Sequence, residues 1–161
     1  MPGVTETITR VLYTAETHPQ EYCMALNIYH ESRSDNLAGQ YAVADVVLNR
    51  VGDPRYPNTI CDVVYQAKLS KRHLQQDPPL KVPLRNKCQF SWYCDGKSDT
   101  PPNSDSWYQS QIIAYQIVHL DRMRGITEGA THYHATYVVP GWAHTLDLVG
   151  RIGEHVFYRW Q

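Results

Sequence analysis

The chain has 161 residues and a mass of 18.6 kDa, a length that forms one domain with a single core and room for a cleft. A formal net charge of -1 excludes the basic excess of a dedicated nucleic-acid binder, so no nucleic acid is expected as a partner. No run approaches the roughly 18 apolar residues of a membrane span, and MPGVTETITRVLYTAETHPQ lacks the charged leader and apolar stretch of a secretory signal, so the expectation is synthesis in the cytoplasm without membrane insertion.

Residues 1–18 read as an N-terminal extension ahead of a domain spanning 19–161. Residues 19–33, PQEYCMALNIYHESR, have the pattern of a helix, with Pro19 tolerated in the first turn and Glu21 suited to the positive end of the dipole. Met24, Ile28 and Glu31 follow one another at i, i+4 and i+7, so Glu31 extends an apolar stripe. Ser34, Asp35 and Asn36 are capping residues that close this helix and open the next. Residues 38–51, AGQYAVADVVLNRV, are apolar enough to form a buried core helix that ends at Gly52-Asp53-Pro54. Thr59 followed by Asp62 gives a capping box for a short helix through Val63, Val64 and Tyr65.

Residues 67–87 are rich in Lys and Arg, contain three prolines and show no sustained period, which reads as a basic loop insertion. The aromatic content of CQFSWYC, residues 88–94, is strand-like, and residues 95–105 are a run of turn and breaker residues. Residues 107–124 return to helix, with Ile113, Ile117 and Leu120 as a stripe and Gly125 as the stop. The remainder mixes β-branched and aromatic residues with glycines, as short strands and loops do. The expected class is α+β, mainly helical, in one domain. Cys23, Cys61, Cys88 and Cys94 show neither CxxC nor zinc-ribbon spacing; they read first as buried thiols, with one or two disulfides formed outside the cytoplasm as the other reading.

Glu31 is the leading catalytic candidate. A carboxyl on an apolar stripe at the C-terminal end of a helix is destabilised as an anion by desolvation and by the negative end of the dipole, so it holds its proton near neutrality, as a general acid must. The competing reading is a surface glutamate paired with Arg33. Glycoside hydrolysis usually employs two carboxylates; Asp35, Asp45 and Asp95 are the available partners, and a substrate that supplies its own nucleophile needs none of them. His132 and His134 in THYH share one side of an extended segment, where with His30, His144 or His155 they could hold zinc, although HxH is a weak motif. Gln89, Ser91, Trp92, Tyr133, Tyr137 and Trp142 form two polar-aromatic clusters suited to stacking on sugar faces and bonding their hydroxyls, yet with eighteen aromatic residues in the chain any single one is more often core.

The blocks YHESRSDNLAGQYAVADVVLNRV, YPNTICDVVYQ, CQFSWYCDGKSD, ATHYHA and GRIGEHVFYR, in that order, resemble the SleB-type cell wall hydrolases, the catalytic domains of spore cortex-lytic enzymes. The resemblance implies a lysozyme-like, lytic-transglycosylase-like single domain acting on peptidoglycan glycan strands, with Glu31 as the catalytic acid, no cofactor and no metal. By looser analogy it implies substrate-binding roles for Gln89, Ser91, His132 and Tyr133; Ser32 joins them because Glu31-Ser32 resembles the Glu-Ser of goose-type lysozymes, and Trp92 because of its polar-aromatic cluster. Residues 67–87 make a longer connection than this family commonly has, and no separate wall-binding module is apparent, so a compact monomeric phage endolysin released onto the cell wall is the expected setting. The implied reaction is lytic transglycosylation of the bond between N-acetylmuramic acid and N-acetylglucosamine; a muramidase acting on the same bond, a zinc-dependent peptidase or amidase using His132 and His134, and a non-catalytic glycan-binding protein are the alternatives.

Overall fold

The computed structural model describes residues 11–81 and 83–161. Pro19 sits in the first turn of helix α1 (Pro19–Ser32), where its missing N–H costs nothing, and Met24 and Ile28 are fully buried below Glu31. The Asn36 side chain caps α2 (Leu37–Val51) by accepting from the Gly39 N–H at 2.8 Å. Ala42, Val43, Ala44, Val46 and Val47 of α2 are all fully buried, which makes α2 the core helix. Thr59 caps α3 (Ile60–Val64) through the Asp62 N–H, and Ser104 caps α5 (Asp105–Leu120) through the Trp107 N–H.

These helices enclose the main core, in which α1 packs against α2, α3 and α5. A second, smaller core joins α2 to an antiparallel sheet of β3 (His132–Ala135), β5 (His155–Arg159) and β4 (Asp147–Ile152), in that spatial order. Phe157 on the central strand is fully buried against Ala42, Val46 and Ala130, a contact that stabilises by about 2 kcal/mol or more. This packing presses the face of β3 carrying Tyr133 toward the end of α1 and fixes what meets there. Among the N-terminal residues, the Leu12 and Tyr13 N–H groups donate to Gln111 Oε1 of α5 at 2.7 and 3.0 Å, tying the end of the extension to the domain. The first ten residues of the extension lie outside the described residues.

Several expectations need correction. The basic stretch is not a plain loop: β1 (Ala67–Leu69) pairs with β2 (Pro83–Cys88), and a single turn, α4 (Lys71–Leu74), lies between them. CQFSWYC is not a strand, because pairing ends at Cys88 and residues Ser91–Cys94 coil into a 3₁₀ turn. Helix α5 stops at Leu120 rather than Arg124, since Asp121 adopts a left-handed conformation with φ 54°, and Leu120 is 60% exposed. The cysteines are not thiols. Cys23–Cys61 ties α1 to α3, and Cys88–Cys94 closes a short loop around residues 89–93.

Candidate active site

Glu31 occupies the last turn of α1 and opens on a cleft of about 430 Å³. Protein surrounds the carboxyl closely enough that burial pushes its pKa from 4.5 up to about 7, against weaker opposing effects of the Tyr133 hydroxyl and the Arg50 charge. Glu31 forms no ion pair among the described residues; Arg33 instead stacks its guanidinium 4.7 Å from the Tyr29 ring centre and donates to the Tyr29 carbonyl at 3.3 Å. Near neutrality a large share of the Glu31 carboxyl is therefore protonated and faces an open cavity.

The opposite wall is β3. Tyr133 projects there with its hydroxyl buried, and burial followed by the Glu31 charge raises its pKa well above 10, so it stays a phenol. His132 is held neutral at physiological pH: burial, then the charges of Arg50 and Arg55, lower its pKa to about 4. His134 has both ring nitrogens engaged, Nδ1 with the Ala135 carbonyl at 2.7 Å and Nε2 with the Tyr158 hydroxyl at 2.8 Å. That pairing removes His134 as a ready metal ligand, and the described residues contain no cluster of three His, Cys, Asp or Glu side chains able to hold a metal. Of the other histidines weighed, His30 and His155 line the cleft and His144 is exposed elsewhere.

Gln89 and Ser91, on the loop closed by Cys88–Cys94, form another part of the wall, with Trp142 and the exposed Tyr137 toward the rim. Two of the expected substrate-binding residues do not line this cleft, although Ser32 borders a smaller cavity that Glu31 shares. Ser32 is 3% exposed, and its hydroxyl donates to the Ile28 carbonyl at 2.8 Å, one turn back along α1. Trp92 is buried beneath His30, stacked at 4.6 Å, and donates its indole N–H to Asn27 Oδ1 at 2.9 Å. It helps to shape a neighbouring hollow rather than the Glu31 cleft.

None of the three aspartates stands ready as a second catalytic carboxylate. Asp35 accepts from the backbone N–H groups of Asn36 and Glu154 and from His155 Nδ1. Asp45 accepts from the Gly125 and Thr127 N–H groups, the Thr127 hydroxyl and Arg124. Asp95 accepts from the Lys97 N–H and borders the neighbouring hollow, not the Glu31 cleft. Sequence reasoning missed Arg50, a buried cation in the cleft wall; its signal was a lone cation inside an otherwise apolar helix. It also missed the His155–Asp35 pair, which no spacing announces.

A mainly helical α+β domain with one protonatable carboxyl over a polar-aromatic cleft has the layout of an acid-catalysed glycan-cleaving enzyme. The Cell Wall Hydrolase family model matches residues 34–158, and the chain belongs to that family. Glu31 lies just ahead of the matched span, so its placement rests on the geometry of α1. The catalytic domain of the germination-specific lytic transglycosylase SleB from Bacillus anthracis aligns with a TM-score of 0.62 and 23% identity, covering 91% of this chain and 97% of that one. The catalytic domain of the Bacillus cereus SleB protein aligns with a TM-score of 0.60 and 24% identity, covering 89% and 91%. At these identities the likeness establishes a shared fold. The spore cortex-lytic enzyme of Bacillus subtilis is 37% identical over 137 residues, and that of Halalkalibacterium halodurans 28% over 137 residues. Each alignment covers 83% of this chain but 35% and 33% of those proteins, so the chain spans about a third of their length.

Proposed function

We propose that the protein cleaves the glycosidic bond between N-acetylmuramic acid and N-acetylglucosamine in peptidoglycan, as a lytic transglycosylase. One observation carries this reading: a single carboxyl, Glu31, faces the cleft with its pKa raised to about 7, while Asp35, Asp45 and Asp95 are committed to local donors. Membership of the cell wall hydrolase family and the fold shared with SleB catalytic domains support the substrate class.

Protonated Glu31 donates to the glycosidic oxygen as the bond to muramic C1 breaks, and the N-acetylglucosamine side leaves with a free hydroxyl. The muramic acetamido oxygen stabilises the positive charge developing at C1. Glu31, now a carboxylate, takes the proton of the muramic 6-hydroxyl, whose oxygen closes on C1. The product is a 1,6-anhydro sugar, Glu31 is protonated again, and no water is consumed. Intramolecular capture has the advantage of high effective molarity over water that no second carboxylate activates.

The setting is part of the proposal: a monomer made in a host cytoplasm and acting on the wall after release, as a phage endolysin does. The two disulfides support action outside a reducing compartment. Mass spectrometry of muropeptides released from purified peptidoglycan tests the chemistry. The expected ends are 1,6-anhydromuramic, resistant to borohydride and about 18 Da lighter than hydrolytic ends by loss of water, as intramolecular capture requires. Dominant reducible muramic ends would mean a muramidase. Cleaved peptide stems, with activity lost on chelation and restored by zinc, would instead establish the metallopeptidase alternative.

A further inference from the structure

Arg50 has no part in that scheme, yet its position is costly. It comes from the core helix α2 and is 2% exposed, with Nε donating to the Thr131 carbonyl at 2.8 Å. The rings of Tyr56 and Phe90 flank its guanidinium at 5.0 and 5.2 Å. Anchored in this way, the side chain lines the same cleft as Glu31, and its Nη1 is buried with no hydrogen-bond partner among the described residues. A buried cation with a free N–H is destabilising unless something in its surroundings becomes negative. Asp45, the other charged residue buried on α2, shows the contrast, since its carboxylate is fully met by donors.

The titratable side chains that share cavities with Glu31 are His30 on its own helix, His132, Tyr133 and His134 on β3, Tyr137 beyond it, His155 on β5, and Asp35 and Glu154 on the far side. Among them and Arg50, only the guanidinium is cationic at every pH at which the enzyme would work. We propose that Arg50 is a positioning residue for Glu31: its guanidinium, fixed in the cleft wall with one N–H free, stabilises the carboxylate that Glu31 becomes as its proton leaves. While Glu31 is protonated the pair lacks its negative half. It is completed only as the glycosidic bond breaks, so the stabilisation falls on the transition state rather than on the resting enzyme. The two groups already act on each other: burial raises the Glu31 pKa and lowers that of Arg50, and in each case the other group's charge is among the effects that oppose burial.

The inference rests on Glu31 as the acid, but it can be tested without turnover. Glu31 in protein labelled with ¹³C-glutamate is titrated by NMR in the parent, Arg50→Lys and Arg50→Met, and rate against pH is recorded alongside. In Arg50→Met the Glu31 midpoint should rise by about one pH unit, kcat should fall by at least about tenfold, and the alkaline fall in rate should move upward with the midpoint. Arg50→Lys should show a smaller rise, because the ammonium keeps the charge but ends short of the place of Nη1. An unmoved midpoint in folded Arg50→Met would reduce Arg50 to a strut for Thr131. If that variant does not fold, an unmoved midpoint in Arg50→Lys overturns the proposal equally. Full activity in Glu31→Gln would instead remove the acid assignment and leave the measured coupling intact, so the two failures are distinguishable.

Discussion

The cleft and the back of helix α2 handle buried carboxyl groups in opposite ways. At the back, Asp45 is fully buried and receives two backbone N–H groups, a hydroxyl and the Arg124 guanidinium, so its charge is met on all sides. Asp35 is handled similarly, wedged between the first turn of α2 and the β4–β5 turn; a Cβ on either Gly39 or Gly153 would sit within 2.5 Å of one of its carboxylate oxygens. At the cleft, Glu31 has close protein walls but no strong donor, and burial therefore dominates. The difference teaches that burial alone does not decide protonation: a carboxyl well supplied with donors serves as a clamp, and one deprived of them keeps its proton to near neutrality.

The sharpest way to break the comparison is Glu31→Gln. The amide keeps the shape but cannot donate a proton, so the rate on purified peptidoglycan should fall by about 100-fold to 10,000-fold with the circular dichroism unchanged. A rate above a tenth of the parent's would remove Glu31 from the role. The same variant has a stability signature. Because the folded protein raises the Glu31 pKa from 4.5 to about 7, it binds the proton more tightly than the unfolded chain does. That contribution is fully present below about pH 4.5 and is lost as pH rises through about 7. Glu31→Gln should thus melt higher than the parent at pH 8 and close to it at pH 4. Parent activity should fall in the same window, as the acid form is depleted.

The two cross-links divide along the same line, one in the frame and one at the cleft. Cys23–Cys61 spans 38 residues of sequence and Cys88–Cys94 spans 6. On the chain-entropy model, losing the first costs about 4 kcal/mol and losing the second about 2 kcal/mol. Paired Cys→Ser variants should show that order in denaturant unfolding. The second, which frames Gln89 and Ser91, should lose more activity for each unit of stability lost, and equal losses would mean that the cleft loop is held by its packing alone.

Asp45→Asn tests the clamp. It removes the charge that faces Arg124 and the two backbone donors, and should cost about 3 kcal/mol in thermal or urea unfolding. The pH dependence of activity should keep its shape, since Asp45 does not line the cleft. A displaced alkaline limb would show that the back of α2 is coupled to Glu31 after all.

How much of this was legible in the sequence depends on the range of the interaction. Helix α1, its Glu31 stripe, the Asn36 and Thr59 caps and the buried α2 all follow from contacts a few residues apart, and all appear as read. Where two distant segments decide, local pattern failed. The cysteine partners depend on how α1 meets α3, the hairpin of β1 and β2 formed in spite of its prolines and charges, and the aromatic CQFSWYC, its ends joined by a disulfide, coiled where strand pairing ends. The site divides in the same way. Glu31 could be found from its own helix, but Arg50 needed the approach of Thr131 and Phe90, and His155 needed Asp35, far from it in sequence. Composition also cannot tell that the Trp92 ring packs beneath His30 and bonds Asn27 rather than facing the Glu31 cleft.

The smallest expected effect belongs to the residue beside the catalytic candidate. Ser32 follows Glu31 directly, but successive helical residues point about 100° apart, as 3.6 residues per turn requires, and its hydroxyl turns inward onto the Ile28 carbonyl. Removing it in Ser32→Ala leaves no orphan, because a carbonyl one turn back in a helix already accepts the ladder N–H, and alanine is the better helix former. The variant should therefore lose less than about 1 kcal/mol of stability. Activity on peptidoglycan should stay within about twofold of the parent, since an interaction absent from the transition state carries no share of the rate. A tenfold fall in kcat with stability unchanged would mean that the hydroxyl swings into the cleft when substrate is bound, and Ser32 would then belong with Glu31 on the catalytic side of the helix.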